Sequence, residues 1–366
     1  MLTPHVRRWA CVLLVCSGTV LAQSAANRPP PIVIEADGAV QVPAHTVPMS
    51  PFLSPEGQAY VAGHLRDMQR PEKLVQENGV PALLAPYLAR QRELYAVDKR
   101  DISIGGVHAY EYMPKAGITG PNRRRVLINL HGGGFSGCWP ACAELESMPI
   151  AALARIRVVS LDYRQAPKHR FPAASEDVAA AYRELLKNYS ARDIGIYGCS
   201  AGGMLTGMAV AYFQQHGLPA PGAIGILCAG LSMIGGGFGG DSAYTIVAIS
   251  ESRTPPPPPS ANAAPRISME YFAGANLNDP LIAPVNFPDV LAKFPATLVV
   301  SGTRGFELSS AAYTHAQLVK QGVDADLHVW EGMFHGFFYN PDVPESRDCF
   351  AVIVKFFDRH LGKGRT

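Results

Sequence analysis

A chain of 366 residues, 48% apolar and 17% charged, is long enough to bury a large core and too apolar for intrinsic disorder. The net charge is only +2, and Arg7 and Arg8 account for it, because no acid falls in the first 22 residues. The remainder is balanced, so neither a nucleic acid nor an anionic membrane surface is called for as a partner, and a small uncharged substrate suits it.

At the N-terminus, Arg7 and Arg8 precede the mostly apolar run Trp9 to Val15, and Val20-Leu21-Ala22 resembles a signal-peptidase site. Residues 1–22 are therefore expected to be a signal peptide cleaved after Ala22, giving a secreted or periplasmic protein. The apolar run is too short for a spanning helix, so no integral membrane segment is expected after cleavage. Cleavage removes Cys11 and Cys16 and leaves Cys138, Cys142, Cys199, Cys228 and Cys349. An odd number cannot all pair; Cys138 and Cys142 are the local candidates for a disulfide, with two free thiols as the alternative. No histidine or second cysteine pair stands at ligand spacing, so no metal site is expected.

Residues 23–50 are a Pro-rich leader. Over 51–95 apolar residues recur at helical spacing (Leu83, Leu84, Tyr87, Leu88), interrupted by Pro71 and Pro81, which predicts two or three short helices. Alternation from Asp101 to Met113 around Gly105-Gly106 predicts a hairpin. Strands are then predicted at Val126–Leu130, Val158–Leu161, Ile194–Tyr197, Ala223–Cys228, Ala296–Val300 and Leu327–Trp330. Helices are predicted at Ala174–Leu186, Ala201–Gln215, Leu308–Gln321 and Val352–His360. Strands that are near-continuous apolar runs, alternating with helices, indicate an α/β fold with a mainly parallel sheet covered on both faces. Residues 96–366 read as one such domain. Within it, 231–270 breaks the alternation and reads as a lid-like insertion. Gly235, Gly237 and Gly240 imitate a dinucleotide fingerprint there, but no helix pattern and no acid follow at the required spacing.

Three motifs carry chemistry. Gly198-Cys199-Ser200-Ala201-Gly202 lies between an apolar strand and a helix, where flanking glycines permit the sharp turn that exposes a serine hydroxyl. His131-Gly132-Gly133-Gly134 ends a strand; without side chains, its backbone N–H groups can approach a carbonyl oxygen that gains negative charge. The expected oxyanion donors are the amides of Gly133, Gly134 and Ala201, with His131 orienting the loop. Of eleven histidines, only His335 follows a C-terminal strand, which makes it the candidate base.

With Leu161-Asp162-Tyr163-Arg164-Gln165-Ala166-Pro167 and Phe171-Pro172-Ala173-Ala174, these motifs resemble the hormone-sensitive-lipase-like esterases of the α/β-hydrolase fold. The resemblance covers about residues 101–361. It implies a catalytic Ser200 and His335, a helical cap built from 51–95 and part of 231–270, short acyl substrates, and no cofactor.

Two positions depart from that family. Cys199 stands where an Asp is usual, beside the serine. More seriously, the triad acid is expected after the seventh strand, and that place falls on Gly305. Three readings follow: Glu307 supplies the carboxylate from two residues on; Glu307 is only a first-turn acid of the next helix, as helix-start rules favour; or the acid is missing. Loss of a triad acid costs about 10⁴-fold in kcat yet leaves catalysis above water. The expected activity is serine-dependent hydrolysis of small uncharged esters. The alternatives are a crippled relative that binds a small apolar ligand, or a lactone or amide hydrolase using the same site.

Overall fold

The apolar strands of this chain alternate between two cores. Leu127, Tyr197 and Leu298 face one core, while their neighbours Ile128, Ile196 and Val299 face the other. A period of two with apolar residues on both faces is what a sheet needs when helices cover each side.

The computed structural model describes residues 32–77, 79–233, 240–246, 249 and 269–362. By contacts the chain forms two units, Met1–Pro48 and Met49–Thr366. In the first, the described residues hold a two-stranded antiparallel ladder of Val33–Ile34 with Val40–Gln41. The predicted signal segment, Gly235, Gly237 and the five-proline run 255–259 lie outside the described residues.

The second unit carries an eight-stranded sheet: β1 (Val97–Ile104), β2 (Val107–Pro114), β3 (Val126–Leu130), β4 (Arg157–Leu161), β5 (Ile194–Cys199), β6 (Ala223–Leu227), β7 (Ala296–Gly302) and β8 (Ala325–Trp330). Their spatial order is β8-β7-β6-β5-β3-β4-β2-β1. The hairpin β1–β2 and the β2–β4 pair are antiparallel; every other pairing is parallel. The order reverses at β3, β4 and β5, so the C-terminal ends of β3 and β5 open onto a crevice, the usual ligand site of an open α/β sheet.

The helices are α1 (Pro55–Asp67), α2 (Ala85–Leu94), α3 (Ala141–Ala154), α4 (Ala173–Leu186), α5 (Ala201–Gln215), α6 (Leu308–Lys320) and α7 (Pro344–His360), with single turns at Asp241–Thr245 and Pro288–Leu291. Val178, Met208 and Leu318 bring α4, α5 and α6 to one core; Tyr60, Leu88, Leu145 and Phe350 bring α1, α2, α3 and α7 to the other.

Two differences from the sequence reading have physical causes. Helix α3 is not among the predicted helices: every residue from Ala141 to Ala151 is buried, so the segment has no polar face and no 3.6-residue period. Helix α7 begins at Pro344, earlier than the predicted Val352, because its first turns are polar. Within the insertion, the described residues form the single turn Asp241–Thr245. No helix of the described residues is long and apolar enough to cross a membrane.

Candidate active site

Ser200 sits between β5 and α5 at φ 56° and ψ −123°, a conformation that an L residue holds only under constraint from its surroundings. The constraint is visible in the glycines on either side. A Cβ on Gly198 or Gly202 would collide with the carbonyl oxygen of Leu130 on the neighbouring strand. The serine is thereby raised at the end of the sheet beside the loop that follows β3.

That loop is shaped for backbone approach. Gly133 and Gly134 take φ of 118° and 64°. The Gly132 N–H is already occupied, donating to Glu146 Oε1 at 2.9 Å. Among the described residues, those of Gly133 and Gly134 have no hydrogen-bond partner and remain available to a ligand oxygen. His131 is fully buried, with Nδ1 2.6 Å from the Gly132 carbonyl and its ring stacked on Tyr163 at 4.6 Å. Burial lowers its pKa to about 4, so it is neutral at pH 7 and holds the loop. Tyr163 adds a hydrogen bond to the His131 carbonyl at 2.7 Å. The Cys138–Cys142 disulfide is formed and closes the far end of the loop onto the start of α3.

His335 lies in the turn after β8, with Nδ1 3.0 Å from Oε2 of Glu307. Glu307 is completely buried, and its Oε1 accepts a hydrogen bond from Ser301 Oγ at 3.0 Å. It stands at the N-cap position of α6 but makes no capping bond, so its carboxylate serves the histidine and not the helix end. This pairing selects the tautomer with Nδ1 protonated, leaving Nε2 as the basic nitrogen. Phe306 stacks on the imidazole at 4.6 Å. Gly305 now has a physical reason: a Cβ there would come within 2.5 Å of Glu307 Oε1. The glycine leaves room for the carboxylate that arrives from two residues further along.

A cavity of about 300 Å³ joins these parts, lined by Gly132, Gly133, Gly134, Ser200 and His335. Its other wall comes from α1 and α2 through Tyr60, His64 and Tyr87, and from Phe334, which stacks on His64 at 3.7 Å. A larger groove of about 1070 Å³ beside α2, α3 and α7 shares no residue with it and holds none of the motif residues.

Sequence reasoning missed three neighbours of the motif residues. Cys228 follows β6 at φ 47°, and its Sγ accepts a hydrogen bond from the Gly336 amide at 3.4 Å. Cys228, Glu307 and His335 each place a ligand atom within 4.8 Å of the others. The remaining two are Glu146 and Tyr339, which lie beneath the glycine loop. Only the acids at 144 and 146, in an otherwise apolar run, could have signalled Glu146.

An α/β-hydrolase-fold family model matches residues 127–339, more than half of the chain. The chain belongs to that family. It is 28% identical to an acetyl-hydrolase of Streptomyces hygroscopicus over 66% of this chain and 77% of that one. Among solved structures it is similar to an esterase called E25, at a TM-score of 0.70 and 28% identity, covering 88% of this chain and 98% of the other. A second, an esterase of the bacterial hormone-sensitive lipase family, gives a TM-score of 0.69 and 28% identity over 84% and 99%. The protein is thus an α/β hydrolase of the hormone-sensitive-lipase-like esterases, and a hydrolytic enzyme.

Proposed function

We propose that this hydrolase cleaves small uncharged carboxylic esters through an acyl-enzyme on Ser200, with His335 as base and Glu307 as the acid of the triad. The observation that carries the reading is that His335, hydrogen-bonded to the buried Glu307, lines the same cavity as Ser200 and the glycine loop. Ser200 Oγ attacks the ester carbonyl carbon while His335 Nε2 takes the hydroxyl proton. The oxyanion that forms is held by the amides of Gly133, Gly134 and Ala201, the last also at the positive end of α5. Collapse breaks the bond to the alcohol, which leaves with the proton from the imidazolium. Water then adds to the acyl-Ser200 carbonyl, giving its proton to His335; the acid departs and Ser200 recovers its proton. Glu307 keeps the Nδ1–H throughout and stabilises the imidazolium.

The cavity volume supports a short acyl chain, because about 300 Å³ is at the lower end for small-molecule sites. The aromatic wall from α1 and α2 supports the reading of 51–95 as a cap. For location, we propose export with cleavage after Ala22, a reading that the Cys138–Cys142 disulfide supports; intact mass of the protein from its native host tests it. The mechanism is tested by p-nitrophenyl butyrate hydrolysis with residues 23–366 and the Ser200→Ala variant. Turnover in the range of roughly 1–10³ s⁻¹ that disappears in Ser200→Ala is expected; equal rates in the two proteins would end the proposal.

A further inference from the structure

Helix α3 buries a carboxylate that the mechanism above does not use. Glu146 is 1% exposed, and its two oxygens receive four donors from four places in the chain. Oε1 accepts from the Gly132 amide and from Tyr339 Oη, both at 2.9 Å. Oε2 accepts from Asn129 Nδ2 at 2.9 Å and from the Cys199 amide at 3.3 Å. Asn129 is fixed in turn by Ser160, whose hydroxyl donates to Asn129 Oδ1 at 2.6 Å.

Three of the four partners adjoin a reacting group along the chain without being one. Gly132 precedes the oxyanion donors Gly133 and Gly134, Cys199 precedes Ser200, and Tyr339 lies in the turn that leaves His335. We infer that Glu146 is a positioning residue whose carboxylate ties the oxyanion loop, the nucleophile strand and the turn after His335 into one rigid frame. The inference rests on the serine-hydrolase reading of the site.

An ionised carboxylate offers about four acceptor positions, and four donors meet them here. Anchoring α3 would not need an acid, since an apolar side chain would pack there without the cost of burying a charge. The titratable groups facing the carboxylate are Tyr339, the Cys199 thiol, Tyr163 and Tyr197; the cations Arg92 and Lys99 are engaged by Glu144 instead. Burial therefore prevails over the hydrogen bonds and pushes the carboxyl up to about 7. Once protonated it has one acceptor fewer. Tyr339 can turn its hydroxyl, but the Gly132 and Cys199 amides cannot turn, so the frame loosens as pH falls below neutrality.

Glutamine at 146 must aim its amide N–H groups at one pair of donors, which opposes donor to donor on that side. The test measures kcat and KM for p-nitrophenyl butyrate from pH 5 to 9 in the parent, Glu146→Gln, Tyr339→Phe and Ser200→Ala proteins. Rates are normalised to the folded fraction by near-ultraviolet circular dichroism. Glu146→Gln is expected to lower kcat about 10- to 100-fold with KM within about threefold, the pattern of misplaced transition-state donors. Its kcat profile should also lose the acid-side inflection contributed by Glu146. Tyr339→Phe removes one donor to the carboxylate, so its acid-side inflection should move to higher pH. Parent values of kcat and an unaltered profile in both variants would overturn the inference while leaving the serine mechanism intact. Should Glu146→Gln fail to fold, Tyr339→Phe decides: an upward shift supports the positioning role and an unmoved profile overturns it. Absence of Ser200-dependent turnover in the parent would sink both readings together.

Discussion

Glu307 and Gly305 form a compensated pair at the scale of single residues. The carboxylate of Glu307 meets His335, and position 305 carries no side chain, where a Cβ would come within 2.5 Å of Glu307 Oε1. Glu307→Gln keeps the shape but loses the charge that stabilises the imidazolium, so kcat should fall by about 10³- to 10⁴-fold with little change in KM. Gly305→Asp alone should reduce activity as well, because its Cβ pushes on the Glu307 carboxylate. In a Glu307→Ala background the same Gly305→Asp change should recover part of the loss, since the space is then open. Steady-state kinetics on these variants check the arrangement; a double variant no better than Glu307→Ala would refute it.

Among the elements, the segment from β3 to α3 concentrates the constraints. It carries the glycine loop, the disulfide and the helix that brings in Glu146. Gly133 is pressed so closely against Gly137 and Cys138 that a Cβ would collide with them. The short disulfide loop limits the freedom of this stretch in the unfolded chain. On loop-closure entropy its removal in a Cys138→Ser, Cys142→Ser protein should cost about 2 kcal/mol. Urea unfolding of that protein beside the parent measures the difference; equal midpoints and slopes would show that the bridge contributes nothing to stability.

At the scale of the whole molecule, two buried titratable groups give stability an opposed pH dependence. Burial lowers His131 from 6.5 to about 4, so its contribution is present above pH 6.5 and is lost as pH falls through 4. Burial raises Glu146 from 4.5 to about 7, so its contribution is complete below pH 4.5 and is lost as pH rises through 7. Glutamine at 146 cannot titrate. The stability deficit of Glu146→Gln relative to the parent should therefore be larger at pH 5 than at pH 8. Urea unfolding at the two pH values reads this directly, and a deficit larger at pH 8 would contradict the sign.

The alternation of apolar strands with amphipathic helices was sufficient for the α/β architecture, because burial on both faces of a parallel sheet leaves its pattern in the sequence itself. Ser200 and the glycine loop were legible for a similar local reason: close backbone approach excludes side chains, and glycine records that exclusion. The carboxylate beside His335 was legible only as one of several readings: Glu307 stood among them, but nothing local chose it over a helix-start acid or a missing one. Position along the chain pointed to residue 305, whereas the turn after β7 aims the Glu307 side chain back across the end of the sheet. Helix α3 and Glu146 were also hidden, since a fully buried helix has no polar face to set a period. The partners of Glu146 lie 14 to 193 positions away along the chain, the glycine loop being the nearest. What a backbone turn requires is written locally. Which acid meets which donor depends on segments brought together only by the folded sheet.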